Sequence, residues 1–68
     1  MKEQIIMPYV TIQMLPGRTV EQKRACVEKV TEAIVETTGA SREKVVIFLE
    51  EIQKSEHAVG GVLLSDQD

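Results

Sequence analysis

Between Tyr9 and Leu15 the chain alternates, with Val10, Ile12 and Met14 on one side and Tyr9, Thr11, Gln13 and Leu15 on the other. A period of two predicts a β-strand over residues 9–15. Pro8 suits the first position of a strand, where no ladder donor is needed, and Pro16-Gly17 marks the turn that ends it. Thr19-Val20-Glu21-Gln22 then has the spacing of a capping box, with Thr19 as N-cap and Gln22 reaching back. Beyond it apolar residues return at helical intervals, at Cys26, Val30, Ala33, Ile34 and Thr37, with Val27 beside them. Lys23, Arg24, Glu28, Glu32 and Glu36 take the opposite side. Gly39 supplies the left-handed residue that closes the helix, which is predicted over residues 19–38.

Val45-Val46-Ile47-Phe48-Leu49 is a continuous β-branched and aromatic run, flanked by Lys44 and Glu50-Glu51. It predicts a second strand, buried on both faces. Strand, helix and strand in one sheet imply a parallel pair joined by a right-handed crossover. Residues 53–57 are polar and loop-like. Ala58 to Leu64 form a short hairpin around Gly60-Gly61, and Ser65 to Asp68 are expected to fray. The fold class is therefore α/β (α+β): a β-α-β unit with a two-stranded parallel sheet and a C-terminal hairpin. It forms one domain over residues 7–68, with residues 1–6 as an extension or an overlong gene start. One helix covers one face of such a sheet. The other face, bearing half of an apolar strand, calls for a second copy of the chain.

Composition strengthens that expectation. A chain of 68 residues buries only about 60% of its unfolded surface, and small domains offset this with disulfides, metal or oligomerisation. One cysteine makes no internal disulfide, and Cys26 with His57 makes no metal site. Cys26 lies on the apolar helical stripe and reads as inert core. Oligomerisation is the remaining device, and 43% hydrophobic residues supply the surface for it. The net charge is −3 and Tyr9 and Phe48 are the only aromatics, so no basic stripe with stacking residues exists and nucleic acid is not an expected partner. No apolar run approaches the ~20 residues that cross a bilayer. The expected setting is the cytoplasm.

The chemistry is concentrated at Met7-Pro8. If translation begins at Met7 and that Met is removed, Pro8 becomes a terminal secondary amine able to act as base or nucleophile. If Met1 to Ile6 stay attached, the same nitrogen is a tertiary amide with almost no basicity. A second candidate is Arg18, in the loop off the C-terminal edge of the first strand, where ligands sit in open α/β folds. A guanidinium beside a helix N-terminus favours a carboxylate. The strand between them separates Pro8 from Arg18 by about 20 Å or more, so the two can share a site only across subunits or if the loop folds back. Without further context, Pro8 would be an ordinary strand-opening proline and Arg18 a solvated loop residue.

The context is a longer pattern. Met7-Pro8-Tyr9-Val10-Thr11-Ile12, then Gly17-Arg18-Thr19 with Glu21-Gln22-Lys23, Val30-Thr31-Glu32-Ala33, Thr38-Gly39-Ala40 and Ala58-Val59-Gly60-Gly61 resemble the 4-oxalocrotonate tautomerase family over residues 7–66. The Gly-Arg-Thr-x-Glu-Gln-Lys segment at its distance from Met-Pro is the specific part. The resemblance implies a β-α-β subunit assembled as a homohexamer. It also implies a keto-enol isomerase needing neither cofactor nor metal, acting on a small 2-hydroxy-dienoate or enol carboxylate such as 2-hydroxymuconate. Carried onto this chain, the general base is Pro8 and the carboxylate-binding arginine is Arg18. An apolar pocket and nearby cations would disfavour the protonated amine and bring its pKa toward neutrality, where a base is most efficient.

Two positions depart from the pattern. A second arginine, which polarises the 2-oxygen of the substrate in well-studied members, falls on Val46, with Arg42 one turn earlier. The active-site aromatic falls on His57, which is carried as a substrate-binding or rim residue. Losing one oxyanion donor costs about 10²–10³ in rate. The alternative function is a non-catalytic oligomeric module that binds a small carboxylate or a partner, with Pro8 blocked by the retained extension. Glu50 and Glu51 fall on opposite sides of their strand and read as solvated strand-end charges.

Overall fold

The computed structural model describes residues 6–67. Most of the segment expected as an extension, residues 1–5, lies outside the described residues, as does Asp68. Strand β1 (Tyr9–Met14) leads through a short loop to helix α1 (Val20–Thr38), and the chain returns as strand β2 (Val46–Glu51). Strands β3 (Ala58–Val59) and β4 (Val62–Leu63) form the terminal antiparallel hairpin, turned through Gly60 and Gly61 at positive φ. Short 3-10 turns occupy Arg42–Lys44, Lys54–Glu56 and Leu64–Asp66. Two of these give form to segments expected as a polar loop and as a fraying end.

Strands β1 and β2 pair in parallel, with Tyr9 opposite Val46, Val10 opposite Ile47, Thr11 opposite Phe48 and Ile12 opposite Leu49. Main-chain bonds carry the ladder past both ends: Val46 N–H donates to the Pro8 carbonyl at 3.1 Å, and Ile52 N–H to the Met14 carbonyl at 2.7 Å. The second strand starts and ends later than its apolar run suggests. Val45 closes the 3-10 turn, its N–H donating to Arg42. Glu50 and Glu51 are drawn into the ladder opposite Gln13 and Met14.

Both halves of the capping box are present at the start of α1. Gln22 N–H donates to Thr19 Oγ1 at 3.0 Å, and Thr19 N–H donates to Gln22 Oε1 at 2.9 Å. These bonds occupy backbone donors that no helical carbonyl reaches. At the other end Gly39, at φ 81°, donates its N–H to Val35. The half-buried stripe of the helix is Lys23, Cys26, Val27, Val30, Thr31, Ile34 and Val35. Ala33 and Thr37, expected on that stripe, are exposed; the stripe follows the 3.6-residue turn through Thr31 and Val35 instead. The Thr37 and Thr38 hydroxyls bond back to the Ala33 and Ile34 carbonyls at 2.8 and 2.7 Å.

The sheet is not buried on both faces within one chain. Val10, Ile12, Ile47 and Leu49 are half-buried on one side, while Phe48 is 52% exposed and Tyr9 67% exposed on the other. Only Ala40 is fully enclosed among the described residues. The radius of gyration is 16.2 Å, where a compact chain of this length would have about 11 Å. Among the described residues a single α-helix covers one side of the sheet, and Tyr9 and Phe48 stay exposed on the other.

The capping box generates a stability prediction. Thr19→Ala should destabilise the fold by about 1 kcal/mol, read as a lower urea midpoint at matched protein concentration. An unchanged midpoint would show that the cap does not hold the helix start.

Candidate active site

Pro8 sits half-buried at the start of β1. Its carbonyl belongs to the ladder through Val46, while its nitrogen has no hydrogen to donate and stands outside it. The residue is thus anchored by its carbonyl alone. Val46 is the backbone partner of Pro8, so the position where the resemblance implies a second arginine lies beside the proline and is apolar. Arg42 opens the 3-10 turn that precedes this strand and is exposed.

Arg18 occupies the other end of the sheet. The loop that carries it leaves β1 at Met14, turns at Gly17 with φ 125°, a region that favours glycine, and enters the cap at Thr19. Arg18 is exposed and lies immediately before the N-cap. A carboxylate there meets a guanidinium and the positive end of the helix dipole together.

His57 is on the Arg18 side as well. It follows the turn at Lys54–Glu56, and its carbonyl accepts from Leu64 N–H at 2.7 Å, which ties it to the base of the hairpin. It lines an open cleft of about 500 Å³ with Gln13, Met14, Leu15, Ile52 and Glu56. The structure therefore gathers His57 and the root of the Arg18 loop at the C-terminal end of β1 and leaves Pro8 at its beginning. It does not bring Pro8 and Arg18 together in one chain. Gln13, which no motif singles out, lines the same cleft and donates to Glu50 Oε1 at 3.0 Å across the outward face of the sheet. Alternation had put Gln13 on that face with Tyr9 and Thr11, which was the available signal. Cys26 is a free, half-buried thiol on the inner helix stripe. No helix among the described residues is long and apolar enough to cross a membrane.

Known proteins share this fold. Residues 8–67 match the family model described as tautomerase enzyme. A 2-hydroxymuconate tautomerase from Bacillus subtilis (strain 168) is 64% identical over 62 residues, spanning 91% of this chain and 100% of that protein. A probable tautomerase from Bacillus cereus is 61% identical over 61 residues, spanning 90% of this chain and 100% of its own length. The crystal structure of YwhB, a homologue of 4-oxalocrotonate tautomerase, matches with a TM-score of 0.86 at 64% identity, over 90% of this chain and 100% of YwhB. With the match opening on Pro8 and each of these relatives covered from end to end, the chain belongs to the tautomerase family, alongside 4-oxalocrotonate tautomerase, and is an isomerase.

Proposed function

We propose that this isomerase is a cofactor-independent keto-enol tautomerase acting on a small 2-hydroxy-dienoate or enol carboxylate such as 2-hydroxymuconate, with Pro8 as its amino terminus and general base. The observation that carries the reading is that the family match begins at Pro8 itself, whose carbonyl is held in the ladder while its nitrogen is free of it. The amine lone pair takes the proton of the 2-hydroxyl. The O–H electrons become the new C=O, the conjugated π electrons move along the chain, and the ammonium returns the proton to carbon. Substrate and product are isomers, so the reaction balances without an oxidant or reductant.

Arg18 binds the substrate carboxylate and draws electron density toward it as the enol opens. It comes from a different copy of the chain, because β1 holds Pro8 and the Arg18 loop at opposite ends. The assembly is a homohexamer, the state the family resemblance implies, and the open sheet face with Tyr9 and Phe48 is the surface that needs a neighbour. His57 lies at the rim on the Arg18 side. With Val46 beside Pro8 in place of an arginine, the base and one clamp remain, and a substrate must do without a cation at its 2-oxygen. A cytoplasmic setting suits the free thiol of Cys26.

Turnover of 2-hydroxymuconate should be found in a chain that begins at Pro8 and lost in one that keeps Met7; equal rates in the two would overturn proline catalysis and favour the binding-module reading. Arg18→Ala should raise KM by about tenfold to a hundredfold, the range of a hydrogen bond to a charged group, and an unchanged KM would remove Arg18 from the site. Phe48→Asp should convert an assembly of several 7.6 kDa chains into smaller species without activity in sedimentation. An assembly of unchanged size would mean that this face is not the interface.

A further inference from the structure

We propose that Lys23 and Glu51 act together as a positioning pair that sets the Arg18 loop, an inference that rests on reading Arg18 as the carboxylate clamp. Lys23 Nζ lies 2.6 Å from Glu51 Oε2, the only ion pair found among the described residues. Lys23 is also the only charged residue among them that is not exposed. It heads the inner stripe of α1, so its aliphatic stem lies toward the sheet while the ammonium reaches the end of β2.

The loop between Met14 and Thr19 is held at both ends by this pair. Glu51 is the register partner of Met14, where the loop leaves β1, and the next residue, Ile52, donates to the Met14 carbonyl. Lys23 N–H donates at 3.0 Å to the carbonyl of Thr19, where the loop joins the helix. One ion pair therefore spans the two roots of the segment that carries Arg18. Among the described residues no other side-chain hydrogen bond joins α1 to the sheet, and apolar packing has no preferred direction. Gly17, at φ 125°, gives the loop little stiffness of its own. An ammonium-carboxylate contact fixes the separation of the two roots, and with it the place from which the guanidinium reaches.

The test uses the full active assembly and a carboxylate substrate such as 2-hydroxymuconate. Lys23→Met, which keeps most of the stem, should raise KM about threefold, the size an ion pair this exposed can supply, with kcat little changed. Glu51→Gln should do the same, the double variant should be no worse than either, and Lys23→Arg should restore KM. In an Arg18→Ala background Lys23→Met should leave KM where Arg18→Ala put it. A purely structural pair would lower the melting temperature and leave KM alone. An unchanged KM in Lys23→Met, with KM raised in Arg18→Ala, overturns the positioning role and spares the clamp. A further rise in the Arg18→Ala background also overturns it, since Lys23 would then act elsewhere. An unchanged KM in Arg18→Ala overturns the clamp itself and the proposal built on it.

Discussion

A two-stranded sheet has two faces, and the described residues hold one α-helix. That mismatch governs the rest of the structure. α1 turns its half-buried stripe of Cys26, Val27, Val30, Ile34 and Val35 to the side of Val10, Ile12, Ile47 and Leu49, and among the described residues no second helix covers the other face. Both aromatic residues are on the uncovered side. Burying aromatic surface is among the larger gains open to so small a chain. The described residues thus complete the apolar alternation of the sheet and leave its outer face open, which is the ground for proposing an assembly.

The same topology sets the terms of the chemistry. Parallel strands begin at the same end, so Pro8 and Val46 are neighbours although 38 positions apart in sequence. The loop after β1 and the segment before the hairpin meet at the far end, which brings His57 to Leu15. On the proposed reading, a site using both Pro8 and Arg18 is assembled from two chains, and the open sheet face serves stability and activity together. Loss of assembly would remove both at once, where an enzyme with its whole site in one chain could lose one without the other.

Much of this was legible in the sequence, for local reasons. The alternation from Tyr9 to Met14, the reciprocal bonds of Thr19 with Gln22, and the glycines at 17, 39, 60 and 61 depend on neighbours a few residues away, and pattern reports them well. The ends of β2 were less legible because its limits are set by distant partners. Gln13 pairs with Glu50, and Met14 stands opposite Glu51. Ala33 and Thr37 face outward against expectation because the 3.6-residue turn carries the inward stripe through Thr31 and Val35. The family was legible through the motif that joins Pro8 to Arg18. Lys23 was read as one of several solvated helix charges, since no periodicity announces a carboxylate 28 residues away.

The separation of Pro8 from Arg18 along β1 has a genetic consequence. When the base of a site is given by one chain and the clamp by another, two inactive alleles need not remain inactive together. Copies with a blocked proline still present intact arginines, and copies without the arginine still present intact prolines. A mixed assembly would contain some sites in which the surviving halves meet. On the proposed reading the enzyme should therefore show complementation between subunits, a heterozygous cell retaining activity that neither allele encodes alone.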